Sequence, residues 1–482
     1  MQIKDLSPQE VYRYFSDIVS IPHGSNNTGA LAEYCVNFAN EHNFKCIKDS
    51  SNNVIIYAPG TPGYENSPSV ILQGHLDMVC EKKPDCNLDM EREGLEVCTD
   101  GKNVWAIGTT LGGDDGIAVA YILAILDSKT IPHPPIEALF TSDEEIGMLG
   151  ARALDTTLLH SKRMINIDSE EEGIIIVSCA GGVRNSCQFP FDSEDMPSDY
   201  TPYRISITGL KGGHSGMEID KQRENSIKLL GNVLSRISRS CDIRLISLSG
   251  GGKENAIPSA SEAVICVDSQ DAHTLEFSCK EYLKLLHQEL SITEPNLEIT
   301  ATPCEYEGKV MTLESSRRLI FSIHQIPTGL QKMSPEIPGL VQTSLNMGTC
   351  ITNDDYVELR FMIRSNTGSG KQFLLERLTS FTEYMGGTIT SKNDYPAWEY
   401  RIKSELREIL VKSYKEIYGK APEITAIHAG LECGILSGKM PDVDMISFGP
   451  TLSHVHTPNE VMDVASVERT WNYLKKILEN MN

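Results

Sequence analysis

The sequence predicts an α/β fold in which a discontinuous domain with a largely parallel sheet is interrupted by an inserted α+β domain. Its 482 residues exceed what one compact core accommodates. The first third alternates strand-like and helix-like segments, as a parallel sheet covered by helices requires. Near residue 185 the texture changes to half-buried alternating strands of antiparallel type, and the α/β pattern returns near "SKNDYPAWEY". The expected division is 1–184, 185–396 and 397–482, with the first and last segments forming one domain.

Each element follows from a local signal. "SPQEVYRYFSDIVSI" opens with Ser7 as N-cap, Pro8 at the first helical position and Glu10 three residues after the cap. "TGALAEYCVNFANEHNF" is a second amphipathic helix. "NVIIYAPG" is a short β-rich run closed by a Pro-Gly turn, and "SVILQGHLDMV" is a buried strand with a polar tip. "GIAVAYILAILDS" reads as a buried helix, "PIEALFTSDEE" as a strand with an acidic exit, and "RMINIDSEEEG" as another. In the inserted part, "YRISITGLKGGHSG" is a half-buried strand running into a glycine-rich loop, and "SIKLLGNVLSRIS" is an amphipathic helix. Further strands and a helix follow in "IRLISLSGG", "EAVICVDS", "LEFSCKEYLKLLHQEL" and "YVELRFMIRSN". The last segment returns to helix in "SELREILVKSYKEIYGK", then strand and histidine-bearing loop in "DVDMISFGPTLSHVHTPNE".

Bulk properties exclude several classes. With 40% hydrophobic and 23% charged residues the composition is that of an ordinary soluble protein. No window approaches the roughly 18 consecutive apolar residues of a membrane span, and the N-terminal stretch lacks a signal-peptide pattern. A formal charge of −23 opposes general nucleic-acid binding, because phosphates would be repelled. The 13 cysteines are odd in number and contain no C-x-x-C pair, which speaks against a thiolate zinc site and a disulfide framework. A cytoplasmic protein with reduced thiols is expected.

In parallel sheets, ligands gather beyond the carboxyl ends of the strands. His75, Asp77, Glu144, Glu145 and Asp168 all fall at or just after predicted strand ends, so they are expected to converge. His75 and Asp77 are two apart and project to the same side; a carboxylate holding one imidazole nitrogen leaves the other free for a metal. With Asp114 and a histidine of "GPTLSHVHTPNE", the set combines imidazole nitrogens and carboxylate oxygens, which suits zinc in hydrolytic sites. Five such groups hold two metals if one carboxylate bridges, and metals about 3.5–4 Å apart acidify a shared water. The glycines of "TLGGDDG" let the backbone approach closely. In "TSDEE", adjacent glutamates can divide two jobs, one binding metal and one accepting the water's proton. Residue chemistry leaves His454 and His456 equivalent at this point.

The ordered motifs "GHLDMV", "TLGGDDG", "TSDEEIGMLGA", "NIDSEEEG", "KGGHSG" and "GPTLSHVHTPNE", together with "HAGLECG", resemble the M20 family of dinuclear zinc peptidases over essentially the whole chain. Within that family the similarity is to the branch that cleaves Xaa-His dipeptides. The resemblance implies a phosphorylase/hydrolase-like zinc-peptidase catalytic domain with an inserted lid, and two Zn²⁺ per subunit, replaceable by Mn²⁺ or Co²⁺. It implies His75, Asp114 and Asp168 on one metal, and Asp114, Glu145 and His456 on the other. His456 is preferred over His454 by its spacing from "GPT". Asp77 is implied as the support of His75, Glu144 as general acid/base, and the Asp114–Asp115 peptide as cis. His214 of "KGGHSG" is implied as an oxyanion donor, with a homodimer formed through the lids. Arg364 and Asn346 are expected to hold the dipeptide carboxylate, and Glu432 to line the pocket near the α-amino group. The expected activity is hydrolysis of Xaa-His dipeptides, including β-alanyl-histidine. Tripeptidase, aminoacylase and N-acyl amino acid deacylase activities remain as alternatives, as does a non-catalytic binding protein of the same fold.

Overall fold

A computed structural model describes residues 2–482. It divides into two units, the first comprising residues up to Cys179, Trp398–Ala426 and Leu431–Asn482, the second Ala180–Ala397 and Ile427–Gly430. The inserted unit thus begins at 180 rather than 185 and ends at 397 rather than 396. Residues 427–430 of the "HAGLECG" stretch also belong to it, not to the last segment. The earlier start has a tertiary cause: Gly181–Pro190 pairs along its length with Tyr356–Ser365 and with Thr388–Tyr395. No local composition marks such long-range partners.

The first unit is built on an eight-stranded sheet. In spatial order its strands are Lys45–Lys48, Val54–Ala58, Ile136–Thr141, Val70–His75, Arg163–Asn166, Asp444–Ser447, Ile174–Cys179 and Glu423–Ile427. The central four are parallel, whereas the pairings of Lys45–Lys48, Val54–Ala58 and Ile174–Cys179 are antiparallel. The sheet is therefore mixed, with the expected parallel part at its centre. Every residue of Val70–His75 and Ile136–Thr141 is buried, as strands covered on both faces must be. Gly113–Asp127 is apolar all round and almost wholly buried. The first helix spans Gln9–Val19 with Pro8 as its cap in an extended conformation and no side-chain cap bond. Ser7, expected as N-cap, instead donates to Glu468. A separate four-stranded sheet orders Leu452–Ser453, Val461–Asp463, Asn103–Ala106 and Val97–Thr99, so that residues 454–460 form a hairpin loop.

The second unit is α+β. Its nine-stranded sheet is antiparallel throughout and runs from Glu298–Pro303 at one edge to Thr388–Tyr395 at the other. Helices Ser226–Ile237, Ala272–Glu289, Leu313–Gln325 and Gly368–Tyr384 share one apolar core with it. Tyr203, Ile205 and Ile207 enter that core while Arg204 and Ser206 between them do not, the period of two of a sheet covered on one face.

Candidate metal centre

All five residues expected as metal ligands lie in the first unit, at the carboxyl edge of its parallel strands or on loops that reach it. His75 is the last residue of Val70–His75 and is 1% exposed. Gly74 beside it is required by close packing: a Cβ there would lie 2.7 Å from Ala118 Cβ and 2.8 Å from Asp115 Oδ2. Asp114 lies two residues after Gly112, whose φ of 69° is left-handed, and has non-helical torsions at the head of Gly113–Asp127. The Asp114–Asp115 peptide is cis. Glu145 sits in the turn after Ile136–Thr141, and Asp168 lies just beyond Arg163–Asn166. His456 projects from the 454–460 hairpin loop with a φ of 60°.

The side chains converge on Asp114. Its Oδ1 is 3.1 Å from His75 Nε2 and its Oδ2 is 3.1 Å from His456 Nε2, so one carboxylate spans two imidazoles. His75 Nε2 is also 3.6 Å from Asp168 Oδ1, and His456 Nε2 is 2.7 Å from Glu145 Oε1. That last approach lacks hydrogen-bond alignment, leaving Glu145 Oε1 buried without a hydrogen-bond partner. A buried carboxylate oxygen left unpartnered beside an imidazole offers a donor atom to a cation. Ligand atoms of His75, Asp114 and Glu145 lie within 4.8 Å of one another, as do those of His75, Asp115 and Asp168. His456 was not separable from His454 by residue chemistry; the fold brings His456 to the cluster.

The electrostatics point the same way. Burial opposes a charged His75, but its bonds with Asp114, Asp168 and Asp77 outweigh this and hold it protonated well above the usual range. The hydrogen bond with Asp114 and the close Glu145 carboxylate push His456 up to about 11. Burial raises Glu144, with Asp168, Glu432 and Glu145 adding like-charge repulsion. Buried carboxylates thus outnumber cationic side chains here, and the cluster attracts positive charge. Imidazole nitrogens with carboxylate oxygens fit a divalent transition metal.

The supporting residues differ in detail from expectation. His75 Nδ1 bonds the backbone carbonyl of Asp77 at 2.9 Å, while the Asp77 carboxylate is 3.5 Å away. That carboxylate accepts from Ser25 Oγ at 2.8 Å, Glu144 N at 2.8 Å and Glu145 N at 3.2 Å. Asp77 therefore holds His75 chiefly through its main chain and the glutamate turn through its side chain. Glu432 does not line an open pocket: it is fully buried and accepts from Gln73 Nε2 at 2.7 Å and Thr141 Oγ1 at 2.6 Å.

The remaining predicted residues lie in the second unit. His214 Nδ1 accepts from the backbone N–H groups of Gly216 and Met217, at 3.2 and 3.0 Å, so a neutral ring carries its proton on Nε2. Burial and the Arg364 charge keep it neutral. Arg364 is 6% exposed, donates to Tyr395 Oη at 3.1 Å, and has a buried Nε without a partner. Asn346 departs from expectation: its amide nitrogen donates to the carbonyls of Glu254 and Ala256, so it staples strand to turn and keeps no free N–H for a carboxylate.

Sequence reading missed two carboxylates. Asp115 Oδ2 accepts from His75 N at 3.0 Å and is buried. Glu460, four residues beyond His456, accepts from the backbone of residues 111–114. Each lies inside a quoted motif, Asp115 in "TLGGDDG" and Glu460 at the end of "GPTLSHVHTPNE", and nothing local distinguishes it from its neighbours there.

The chain is similar to known proteins over its whole length. The chain is 36% identical over 480 residues to the cytosol non-specific dipeptidase of Escherichia coli (strain K12), covering 100% of this chain and 99% of that protein. It superposes on the crystal structure of aminoacylhistidine dipeptidase from Vibrio alginolyticus with a TM-score of 0.95 and 37% identity, covering 99% and 98% of the two chains. Aminopeptidase PepT from Bacillus cereus shares the fold at a TM-score of 0.56 and 14% identity, with 99% of each chain covered. The model of peptidase family M20/M25/M40 matches residues 71–480, a span that opens one residue into the strand ending at His75 and runs past His456. The chain belongs to this family, whose members are hydrolases acting on peptide bonds.

Proposed function

We propose that the protein is a cytoplasmic, metal-dependent dipeptidase that hydrolyses Xaa-His dipeptides, β-alanyl-histidine among them. The single observation that carries the metal chemistry is Asp114 reaching His75 with one oxygen and His456 with the other. In this reading His75, Asp114 and Asp168 would hold one zinc ion and Asp114, Glu145 and His456 a second; manganese or cobalt would substitute in such a shell. Bound cations would acidify the attacking water and polarise the scissile carbonyl.

The protein's own groups do the rest. Glu144 lies in the turn fixed by Asp77 and takes no metal in this assignment, so its carboxylate is available for a proton. It accepts the water's proton and returns it to the leaving amine. His214, neutral with its proton on Nε2, donates to the developing oxyanion. Arg364 is a buried cation that pairs with no carboxylate among the described residues, and the C-terminal carboxylate of a dipeptide would supply one. A homodimer formed through the inserted unit belongs to the same proposal, with sedimentation velocity as its test.

The relatives' names support a dipeptide substrate. A broader dipeptide range is the second reading, favoured by the 36% identity to a dipeptidase named non-specific. The deciding experiment assays zinc-loaded protein against β-alanyl-histidine, glycyl-histidine, dipeptides without histidine, tripeptides and N-acyl amino acids. Release of histidine from the first two alone supports the narrow reading, and cleavage of all dipeptides the broad one. Cleavage of acylated amino acids without dipeptides would replace both with an aminoacylase.

The cytoplasmic assignment draws on the name of the Escherichia coli relative and on thirteen free cysteines. No helix of the described residues is long and apolar enough to cross a membrane.

A further inference from the structure

We propose that Glu460 is the positioning residue of the metal-bridging carboxylate. The inference rests on Asp114 being a metal ligand. Glu460 is 3% exposed. Its Oε2 accepts from Leu111 N at 2.8 Å and Gly112 N at 3.2 Å; its Oε1 accepts from Gly113 N at 2.8 Å and Asp114 N at 3.4 Å. One side chain thus gathers four consecutive amides that end at the bridging residue.

Those amides have no alternative organiser. Gly112 is left-handed and Asp114 non-helical, so no helical ladder sets the backbone that aims the Asp114 carboxylate. These N–H groups and the positive end of Gly113–Asp127 offset part of the cost of burying the Glu460 carboxylate. Gly113 leaves the room: a Cβ there would lie 3.1 Å from Glu460 Oε1 and 3.1 Å from Leu452 Cδ2. The same hairpin loop carries His456, and it is stiffened by Glu460 N to Thr457 O at 3.0 Å and Thr457 Oγ1 to His454 O at 2.7 Å. A single loop therefore delivers one ligand directly and sets the angle of another through its backbone. Groups in this position tune metal affinity without touching the metal.

Glu460→Gln replaces one acceptor oxygen with an N–H₂ group that faces backbone donors. The test titrates chelator-stripped wild type and E460Q with zinc against a chromophoric competitor, and records the visible absorption of the cobalt-substituted proteins. A folded E460Q should bind zinc about 10–100-fold more weakly, with altered cobalt bands. Should E460Q not fold, Gly113→Ala, which presses on the clamp and leaves its charge, is expected to shift affinity in the same direction. Wild-type zinc affinity and cobalt bands in either folded variant would overturn the proposal, and failure of both to fold would replace it with a purely structural clamp. Absence of metal binding by the wild type would remove the metal reading itself, a result separate from the other two.

Discussion

His454 and His456 occupy one hairpin loop, both with left-handed torsions, yet only His456 lies against Asp114 and Glu145. Two tests separate them: His456→Ala should lower zinc stoichiometry and abolish turnover, whereas His454→Ala should stay within about twofold of wild type. Loss of zinc in H454A and not in H456A would reverse the assignment. Glu144→Gln should keep full zinc content while kcat falls by about 10²–10⁴-fold, the usual contribution of a general acid/base. Retained turnover would remove Glu144 from that role. Arg364→Lys keeps the charge and loses the planar fork, so KM for dipeptides should rise about tenfold or more with little change in kcat. An effect confined to kcat would argue for a different role. Among the candidate ligands, His75, Glu145 and Asp168 are marked by short motifs at or just after strand ends, whereas Asp114 and His456 are marked by glycine- and histidine-bearing motifs outside the strands. Asn346 was misread because its sequence neighbourhood says nothing about the turn 254–256 that takes up its amide.

At the scale of elements, the Asp77 carboxylate joins the tip of Val70–His75 to the turn that carries Glu144 and Glu145. Removing it in Asp77→Ala frees two backbone amides and the hydroxyl of Ser25 together. Metal affinity or activity should then fall by about 10–100-fold, measured on protein whose circular dichroism matches wild type. An unchanged variant would show that the turn holds its own shape. The parallel centre of the first sheet was readable from short apolar-rich strands alternating with helices. Its antiparallel edges were not, since strand direction is set by connections and partners that local patterning does not encode. The cap at Pro8 shows the same limit on a smaller scale: a Ser-Pro-x-Glu sequence offers a capping box, but here Ser7 turns to Glu468 instead.

For the whole molecule, a ligand that binds only the folded state stabilises it by mass action, about 2.7 kcal/mol for each site at a hundredfold excess over Kd. Zinc at saturation should therefore raise the melting temperature of chelator-stripped protein by several degrees, and H456A should lose part of that rise. Acid should act through the second unit as well. His428, between Ser344 Oγ at 2.7 Å and Asn366 Oδ1 at 3.2 Å, is lowered to about 3 by burial and by the Arg364 charge. A histidine depressed on folding binds its proton more tightly in the unfolded chain. Its stabilising contribution is therefore complete above about pH 6.5 and is lost as pH falls toward 3. The stability difference between wild type and His428→Gln should shrink between pH 7 and pH 4, measured by thermal melts in matched salt. A difference that does not change with pH would show that His428 is not held neutral by the fold.

By itself the sequence determined the α/β class, the presence of an insertion, and which short motifs carry the candidate ligand and proton-accepting side chains, because periodicity and residue chemistry are local properties. Tertiary structure decided the rest: the closeness of His456 to Asp114 and Glu145, the edges of the inserted unit, and the hydrogen-bond partners of Asp77, Asp115, Asn346, Glu432 and Glu460. Those depend on hydrogen bonds between segments as far apart as residues 111 and 460, and such pairings exist only once the chain has folded.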